Sequence, residues 1–437
     1  MKIKKFNVAS PEVKVNPNYK VITIEGGGGG GGGGGDDRGY PTLEGIYSVC
    51  HRGYRYNYSD IIENTMPAFK MALRNGYNFL ETDIRHTRDG VAVLCHDETL
   101  YVNETNRLIY IANVDFETLS EYTYENSTLK IPTLREFMQF CKDNYIIAYL
   151  EIKDGTDAQI RADYELIREL EMENHVVWIS FEIEYLRLIK SIDRYATLNY
   201  VVNTQNISET TISDAVTLKN GDNTVGIDLR HDLITQEFVN EATAQGIRMG
   251  AWTVNSPLRV LELNELGVVQ ITTDYLKVEP LLEKLKTITS NDLSQCAIKF
   301  GNEGIVDTSS TTRITYIGLD IKLDTGKKYL VRLVKNPDVS KTIQFGVQVM
   351  NGAIYRSFRN GTTSQVQNTN RYDSGWKTDS YIYDSNPNYA INGLPPAFAW
   401  ITCHYTDNTD ILTSAISKIE IAEISELVLL NCNGYFY

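Results

Sequence analysis

The chain is short of positive charge, of cysteine and of long apolar runs, and each shortage removes a class of explanation. Against 56 acidic side chains stand 42 lysines and arginines, a formal net charge of −14. Nucleic acids and anionic membranes are bound through basic faces, so neither is an expected partner. An anionic substrate would have to be met by a local arrangement of arginine, lysine or metal. The six cysteines, at 50, 95, 141, 296, 403 and 432, have neither metal-ligand spacing nor the density of a disulfide scaffold. Cys50 and Cys95 each precede a histidine by one residue, so on a strand they would face away from it and pack as small hydrophobes. No apolar stretch approaches the ~18 residues of a membrane span. The basic opening Met1-Lys2-Ile3-Lys4-Lys5 lacks the apolar segment of a signal peptide.

What is present is enough for more than one domain: 437 residues, 42% hydrophobic and 22% charged. Three regions separate by texture. Residues 1–45 form an arm that contains ten consecutive glycines, Gly26 to Gly35. Such a run reads as a linker, and ordering it would cost on the order of 10–20 kcal/mol of backbone entropy. Packing against neighbouring chains is the contribution that would offset it, so the arm is expected to serve attachment, in a homo-oligomer or a larger assembly.

Residues 46–288 alternate short apolar runs with amphipathic stretches. Candidate strands are Ile46–Val49, Phe79–Ile84, Val91–Leu94, Ile146–Ile152, Val176–Ser180, Leu198–Val202, Val225–Leu229, Arg248–Thr253 and Val269–Thr273. Candidate helices include Thr65–Asn75, Leu134–Asn144, Ala158–Glu171, Glu184–Ile192, Gln236–Gln245 and Pro257–Leu266. This alternation predicts an α/β fold, a single (β/α)8 barrel of the triosephosphate-isomerase type, whose catalytic groups sit at the C-terminal ends of the strands. Residues 289–437 turn to short β-type segments between Asn, Gly, Asp and Ser clusters, such as Lys328–Val334, Ile343–Val349 and Ile416–Ile424. They predict an antiparallel sandwich or jelly roll, a possible carbohydrate-binding or interaction module. Trp376 and Trp400 would stack on sugars there or, the commoner use, fill a core.

Two charged tripeptides lie inside apolar runs, Glu81-Thr82-Asp83 and Glu151-Ile152-Lys153. Residues i and i+2 of a strand share a face, so Glu81 and Asp83 would converge, as would Glu151 and Lys153. Three carboxylates make a ligand set for a hard divalent cation, Ca²⁺ or Mg²⁺. Such an ion would stabilise charge growing on a phosphoryl oxygen. Arg52 and Lys153 would bind phosphate, Arg52 bidentately. His51 and His96 each follow a predicted strand and could share the two proton transfers that phosphodiester cleavage needs. Gly53 would allow close backbone approach to a ligand. Glu63 would orient the metal or a histidine, and Asn64 or Thr65 would cap the helix that follows.

In this order the motifs resemble the glycerophosphodiester phosphodiesterase family: His51-Arg52-Gly53, Glu63-Asn64-Thr65, Glu81-Thr82-Asp83, His96-Asp97 and Glu151-Ile152-Lys153. Thr87-Arg88-Asp89-Gly90, Ile131-Pro132-Thr133-Leu134, Ser180-Phe181 and Ala251-Trp252-Thr253-Val254-Asn255 resemble further landmarks, and the resemblance spans about Ile46 to Leu285. It implies a metal-dependent phosphodiesterase acting on a glycerol-phosphate diester. His51 and His96 would be its acid and base, Glu81, Asp83 and Glu151 its metal ligands, and Trp252 would line the alcohol pocket. The chain departs from the family pattern at Ile62, where proline is usual before Glu-Asn-Thr, and at Asn103-Glu104.

The three-part organisation suggests a setting: a bacteriophage tail or baseplate component that cleaves glycerol-phosphate polymers such as teichoic acid on a host surface, in the virion or outside the cell. One rival is a bacterial enzyme for small phospholipid-derived diesters. Another is an adhesion or structural virion protein whose barrel has lost activity, for which unchanged turnover after His51→Ala would speak.

Overall fold

The computed structural model describes residues 46–283 apart from 57, 59, 204–208 and 220–223, residues 22–23 and 41–42, and a series of segments between 285 and 424. The glycine run, Trp376 and the side chain of Trp400 lie outside the described residues. The chain divides into two compact units, Met1–Glu279 and Pro280–Tyr437.

The first unit holds eight parallel strands: β1 Tyr47–Cys50, β2 Phe79–His86, β3 Ile147–Ile152, β4 Val176–Ser180, β5 Thr197–Val202, β6 Val225–Arg230, β7 Arg248–Trp252 and β8 Gln270–Thr273. Each pairs with the next, β8 pairs with β1, and β1 meets β2 through Cys50 and Leu80. The sheet therefore closes on itself as the alternation predicts. A helix follows each of the first seven strands before the next begins: α1 Met66–Arg74, α2 Leu134–Asp143, α3 Asp157–Glu169, α4 Ile183–Ile192, α5 Glu209–Leu218, α6 Gln236–Ala244 and α7 Pro257–Leu266. The ninth candidate strand forms as well, at Ala92–Leu94, but runs antiparallel to the end of β2.

Local chemistry explains several boundaries. Thr133 with Glu136 and Thr156 with Gln159 make reciprocal capping boxes that start α2 and α3. Helix α7 opens with a Ser256 cap and Pro257, and closes on Gly267 at φ 95°. Thr65 stands before α1 without capping it, because its hydroxyl donates to the Ile62 carbonyl instead.

Strands buried on both faces read as unbroken apolar runs. Here the inner face belongs to alternate residues: Tyr47 and Val49, Phe79, Tyr149, Val177 and Ile179, and Val201 form one buried cluster, against which Ile147, Phe181 and Trp252 pack. The same two-residue period, carried on to the strand ends, leads from Val49 to His51, from Phe79 to Glu81 and Asp83, and from Tyr149 to Glu151 and Lys153. It leads likewise from Gln270 through Thr272 to Asp274. The core and the site are thus successive layers of one register. Cys50 and Cys95, out of phase with their histidines, are buried free thiols, and Cys95 packs in a satellite cluster with Val93, Leu100, Val102 and Ile111.

Among the described residues, the second unit contains two antiparallel sheets. One has four strands, Leu285–Thr289, Ile416–Ile424, Lys328–Lys335 and Ser380–Asp384 in spatial order. The other has six, including Ile314–Gly318, Ile343–Asn351 and Phe398–Tyr405.

Candidate active site

At the C-terminal ends of β2 and β3, one oxygen each of Glu81, Asp83 and Glu151 lie within 4.8 Å of one another, and all three residues are buried. Adjacent cations hold this cluster together. The Arg52 main-chain N–H donates to Glu81 Oε2 at 2.8 Å, while Arg52 Nε lies 3.2 Å from Asp83 Oδ2. Lys153 Nζ is 2.6 Å from Glu151 Oε1 and 3.2 Å from Asp83 Oδ1. Asn64 donates to Asp83 Oδ2 at 2.7 Å and accepts from the Thr82 hydroxyl at 2.7 Å. It thereby fixes one carboxylate lobe from the turn before α1.

That turn is conformationally unusual. Arg52 and Asn64 both adopt φ 55°, a region that non-glycine residues enter at a cost. Gly53 follows at φ 76°, and a Cβ there would stand 2.8 Å from Ala68. The strain puts the Arg52 N–H and guanidinium beside two different carboxylates at once.

The electrostatics are uneven. Burial pushes Glu81 well above the ordinary carboxylate range, and the charges of Asp83 and Glu151 add to it. Glu151 rises to about 7, through burial first and Asp83 second, despite its bond to Lys153. Burial acts upward on Asp83 too, but Arg52, Lys153 and the Asn64 hydrogen bond outweigh it and hold its carboxyl low. Three carboxylates this close cannot all ionise comfortably in a buried space without a further cation. Glu81 Oε1 is buried without a hydrogen-bond donor among the described residues. The hard oxygen donors, their spacing and this orphaned atom fit a divalent metal ion.

Both histidines stand at this end of the barrel, each oriented by a carboxylate. His51 Nδ1 is 2.8 Å from Asp274 Oδ1, and Asn255 donates to Asp274 Oδ2 at 2.6 Å. Burial acts upward on Asp274, but the His51 and Asn255 hydrogen bonds prevail and keep it ionised. His96 Nδ1 lies 2.7 Å from Asp97 Oδ1. Burial lowers His96, and Arg52 and Lys153 lower it further against the pull of Asp83, so it is neutral at pH 7.

The sequence profile of the glycerophosphoryl diester phosphodiesterase family matches residues 51–278. The chain belongs to this family. Among family relatives, human glycerophosphodiester phosphodiesterase 1 is 30% identical over 160 residues, 34% of this chain and 46% of that protein. The glycerophosphodiester phosphodiesterase of Caldanaerobacter subterraneus is 30% identical over 151 residues, 32% of this chain and 60% of that protein. The chain thus spans about half to three fifths of these two relatives. A phosphodiesterase from Oleispira antarctica, solved in complex with the product sn-glycerol-3-phosphate, aligns with 53% of this chain and 94% of its own. Its identity is 21% and its TM-score 0.46.

Of the residues read from the family motifs, Glu81, Asp83, Glu151, Arg52, Lys153 and Asn64 meet in one contact network. Glu63 stands apart from the carboxylate cluster and instead binds Arg52 at 2.9 Å and Arg55 at 3.0 Å. Trp252 donates to the Asp228 carbonyl and packs edge-on against Phe181, with centroids 5.5 Å apart. Phe181 in turn lies under Lys153 Nζ at 5.6 Å, which joins the aromatic corner to the cluster. Sequence reading missed Asp274 and Arg55. Asp274 was findable as the next inward position after Gln270 and Thr272. Arg55, whose guanidinium reaches Glu63, Asp274 and the His51 carbonyl, has no periodic signal.

Proposed function

We propose that this chain is a metal-dependent phosphodiesterase that cleaves glycerol-phosphate diesters. The observation that carries the reading is the buried Glu81, Asp83 and Glu151 cluster flanked by Arg52 and Lys153, with two carboxylate-oriented histidines at the same end of the barrel. Glu81, Asp83 and Glu151 would hold a divalent cation, Ca²⁺ or Mg²⁺, which when bound supplies positive charge to a phosphoryl oxygen.

The chain's own groups do the rest. Arg52 and Lys153 meet the phosphate, and their paired carboxylates hold them in place before substrate arrives. Neutral His96 starts turnover able to take a proton from the attacking hydroxyl, which leaves the donor's part, at the departing alkoxide, to His51. Asp274 and Asp97 fix the ring orientations that in-line displacement requires. Trp252 and Phe181 offer an apolar wall to the alcohol. The attacking hydroxyl belongs to the glycerol itself or to water.

On the substrate we favour a glycerol-phosphate polymer such as teichoic acid, attacked from a phage tail or baseplate. The support is the organisation of the chain, with a glycine-rich arm before the barrel and a β-rich unit after it. Hydrolysis of purified teichoic acid and of glycerophosphocholine, each with and without chelator, tests both levels. Release of glycerol phosphate from the polymer at the higher kcat/KM supports the polymer. Preference for glycerophosphocholine replaces it with a small diester, and turnover that survives EDTA sinks the metal site.

A further inference from the structure

Beside the site runs a second set of charges that contacts neither the carboxylate cluster nor the aromatic corner. It starts at Arg85, two residues beyond Asp83 on β2. Arg85 Nε donates to the main-chain carbonyl of His96 at 2.9 Å, and Nη1 donates to Asp154 Oδ2 at 2.7 Å. Asp154 directly follows Lys153. Its other oxygen lies 3.3 Å from both the His86 main-chain nitrogen and His86 Nδ1. On the far side of that buried ring, Nε2 meets Asp163 of α3 at 2.9 Å. Gly155 leaves space for the ring, since a Cβ there would stand 3.0 Å from His86 Cε1. Cation and anion therefore alternate from helix α3 to the backbone of His96.

Removing such groups from water is expensive, and an apolar contact would join β2 to α3 at less cost. What an apolar contact cannot do is hold two separate chain segments at a set distance and angle. The planar guanidinium does this, because its donors leave in fixed directions. One donor here grips the residue that carries the proton-transfer ring, and the other grips the residue next to the phosphate-side cation.

We propose that Arg85 and Asp154 are positioning residues for turnover, tying the backbone of His96 to the segment that carries Lys153. Neither touches the reacting atoms. Their effect is on alignment, where an error of about 1 Å can cost on the order of 100-fold in rate. His86 and Asp163 anchor Asp154 from behind and make the tie stiff.

The proposal rests on the phosphodiesterase reading, since it gives His96 a part in turnover, and the two fail differently. With glycerophosphocholine as substrate, Arg85→Met should lower kcat by about 10- to 100-fold, the range seen when groups behind a site are lost. KM should stay within about twofold, because Arg52 and Lys153 remain. Asp154→Asn, which keeps an acceptor for Arg85 and so covers the case in which Arg85→Met fails to fold, should lower kcat in the same sense by less. Arg85→Lys should fall between wild type and Arg85→Met. Arg135→Met, which removes an exposed arginine paired with Glu169, serves as the matched control and should keep full kcat. Melting temperatures measured alongside separate alignment from stability. A kcat that survives in Arg85→Met and Asp154→Asn, or falls only with the folded fraction, overturns the proposal and leaves the phosphodiesterase reading intact. A wild-type chain that turns over no glycerol-phosphate diester overturns that reading instead.

Discussion

Asp83 of β2 and Glu151 of β3 are register partners on neighbouring parallel strands, and Lys153 Nζ pairs electrostatically with both carboxylates, 3.2 Å from the first and 2.6 Å from the second. One lysine serves two acids that behave differently: Asp83 is held low, whereas burial and Asp83 itself lift Glu151 to about 7. A cation needs both in the ionised form. Its affinity should therefore rise as pH climbs from 6 to 8, with a proton released on binding at the lower pH. Calorimetric titration with Ca²⁺ or Mg²⁺ in buffers of different ionisation enthalpy would show this, and Glu151→Gln should weaken binding and flatten the pH dependence. Affinity that is level across this window in wild type contradicts the assignment.

Under the proposed reading, Glu81 serves the metal at a cost to the metal-free fold. Its carboxyl is buried, lifted well above its ordinary range, and repelled by two neighbours. Glu81→Gln keeps an acceptor for the Arg52 N–H and removes the repulsion. In EDTA the variant should melt a few degrees above wild type, as expected for a gain of about 1–2 kcal/mol in a unit of this size, while turnover falls at least about 100-fold. A lower melting temperature in EDTA would count against mutual repulsion as the dominant effect.

As the proposed proton acceptor, His96 would set an acid limit on the rate. Burial, Arg52 and Lys153 keep it below the ordinary imidazole value of about 6.5. The acid limb of kcat/KM should have its midpoint below that value. Removing the nearby charge in Lys153→Met should move any residual activity's limb upward. With metal kept saturating at every pH, a limb above 7 in wild type would refute the acceptor role of His96.

His86 supplies a stability signal that can be read without assaying turnover. Burial acts downward on it, but hydrogen bonds to Asp154 and Asp163 prevail and raise it to about 9. The fold thus favours the protonated ring. This contribution is complete below the unfolded value of about 6.5 and is lost as pH rises through about 9. It amounts to on the order of 3 kcal/mol. Denaturant melts should show stability declining across that window in wild type, and the decline should be smaller in His86→Leu.

Sequence periodicity made the barrel legible because every strand is buried on both faces and every connecting helix keeps a polar one. It also brought the candidate site into view, since strand ends and inward phase together single out His51, Glu81, Asp83 and Glu151. Phase alone does not tell direction, and the run at Val91–Leu94 reads like the others although Ala92–Leu94 runs antiparallel to β2. Helix α5 gives a weak signal, because Glu209–Leu218 is rich in β-branched residues, threonine above all, and its apolar stripe is poorly defined. The Thr99–Val102 and Arg107–Tyr110 hairpin escapes for a related reason, its second strand being largely exposed. The ties from Arg85 to Asp154 and from His86 to Asp163 span 69 and 77 positions, and no local pattern carries such a pairing.

The closure of the barrel between β8 and β1 has a temporal meaning. His51 meets Asp274 across 223 positions, so its ring acquires its carboxylate only after nearly the whole unit has been synthesised. Until the β8–β1 seam closes, the histidine at the front of the unit lacks its orienting partner, and a product truncated before Asp274 would leave the His51 ring without that carboxylate.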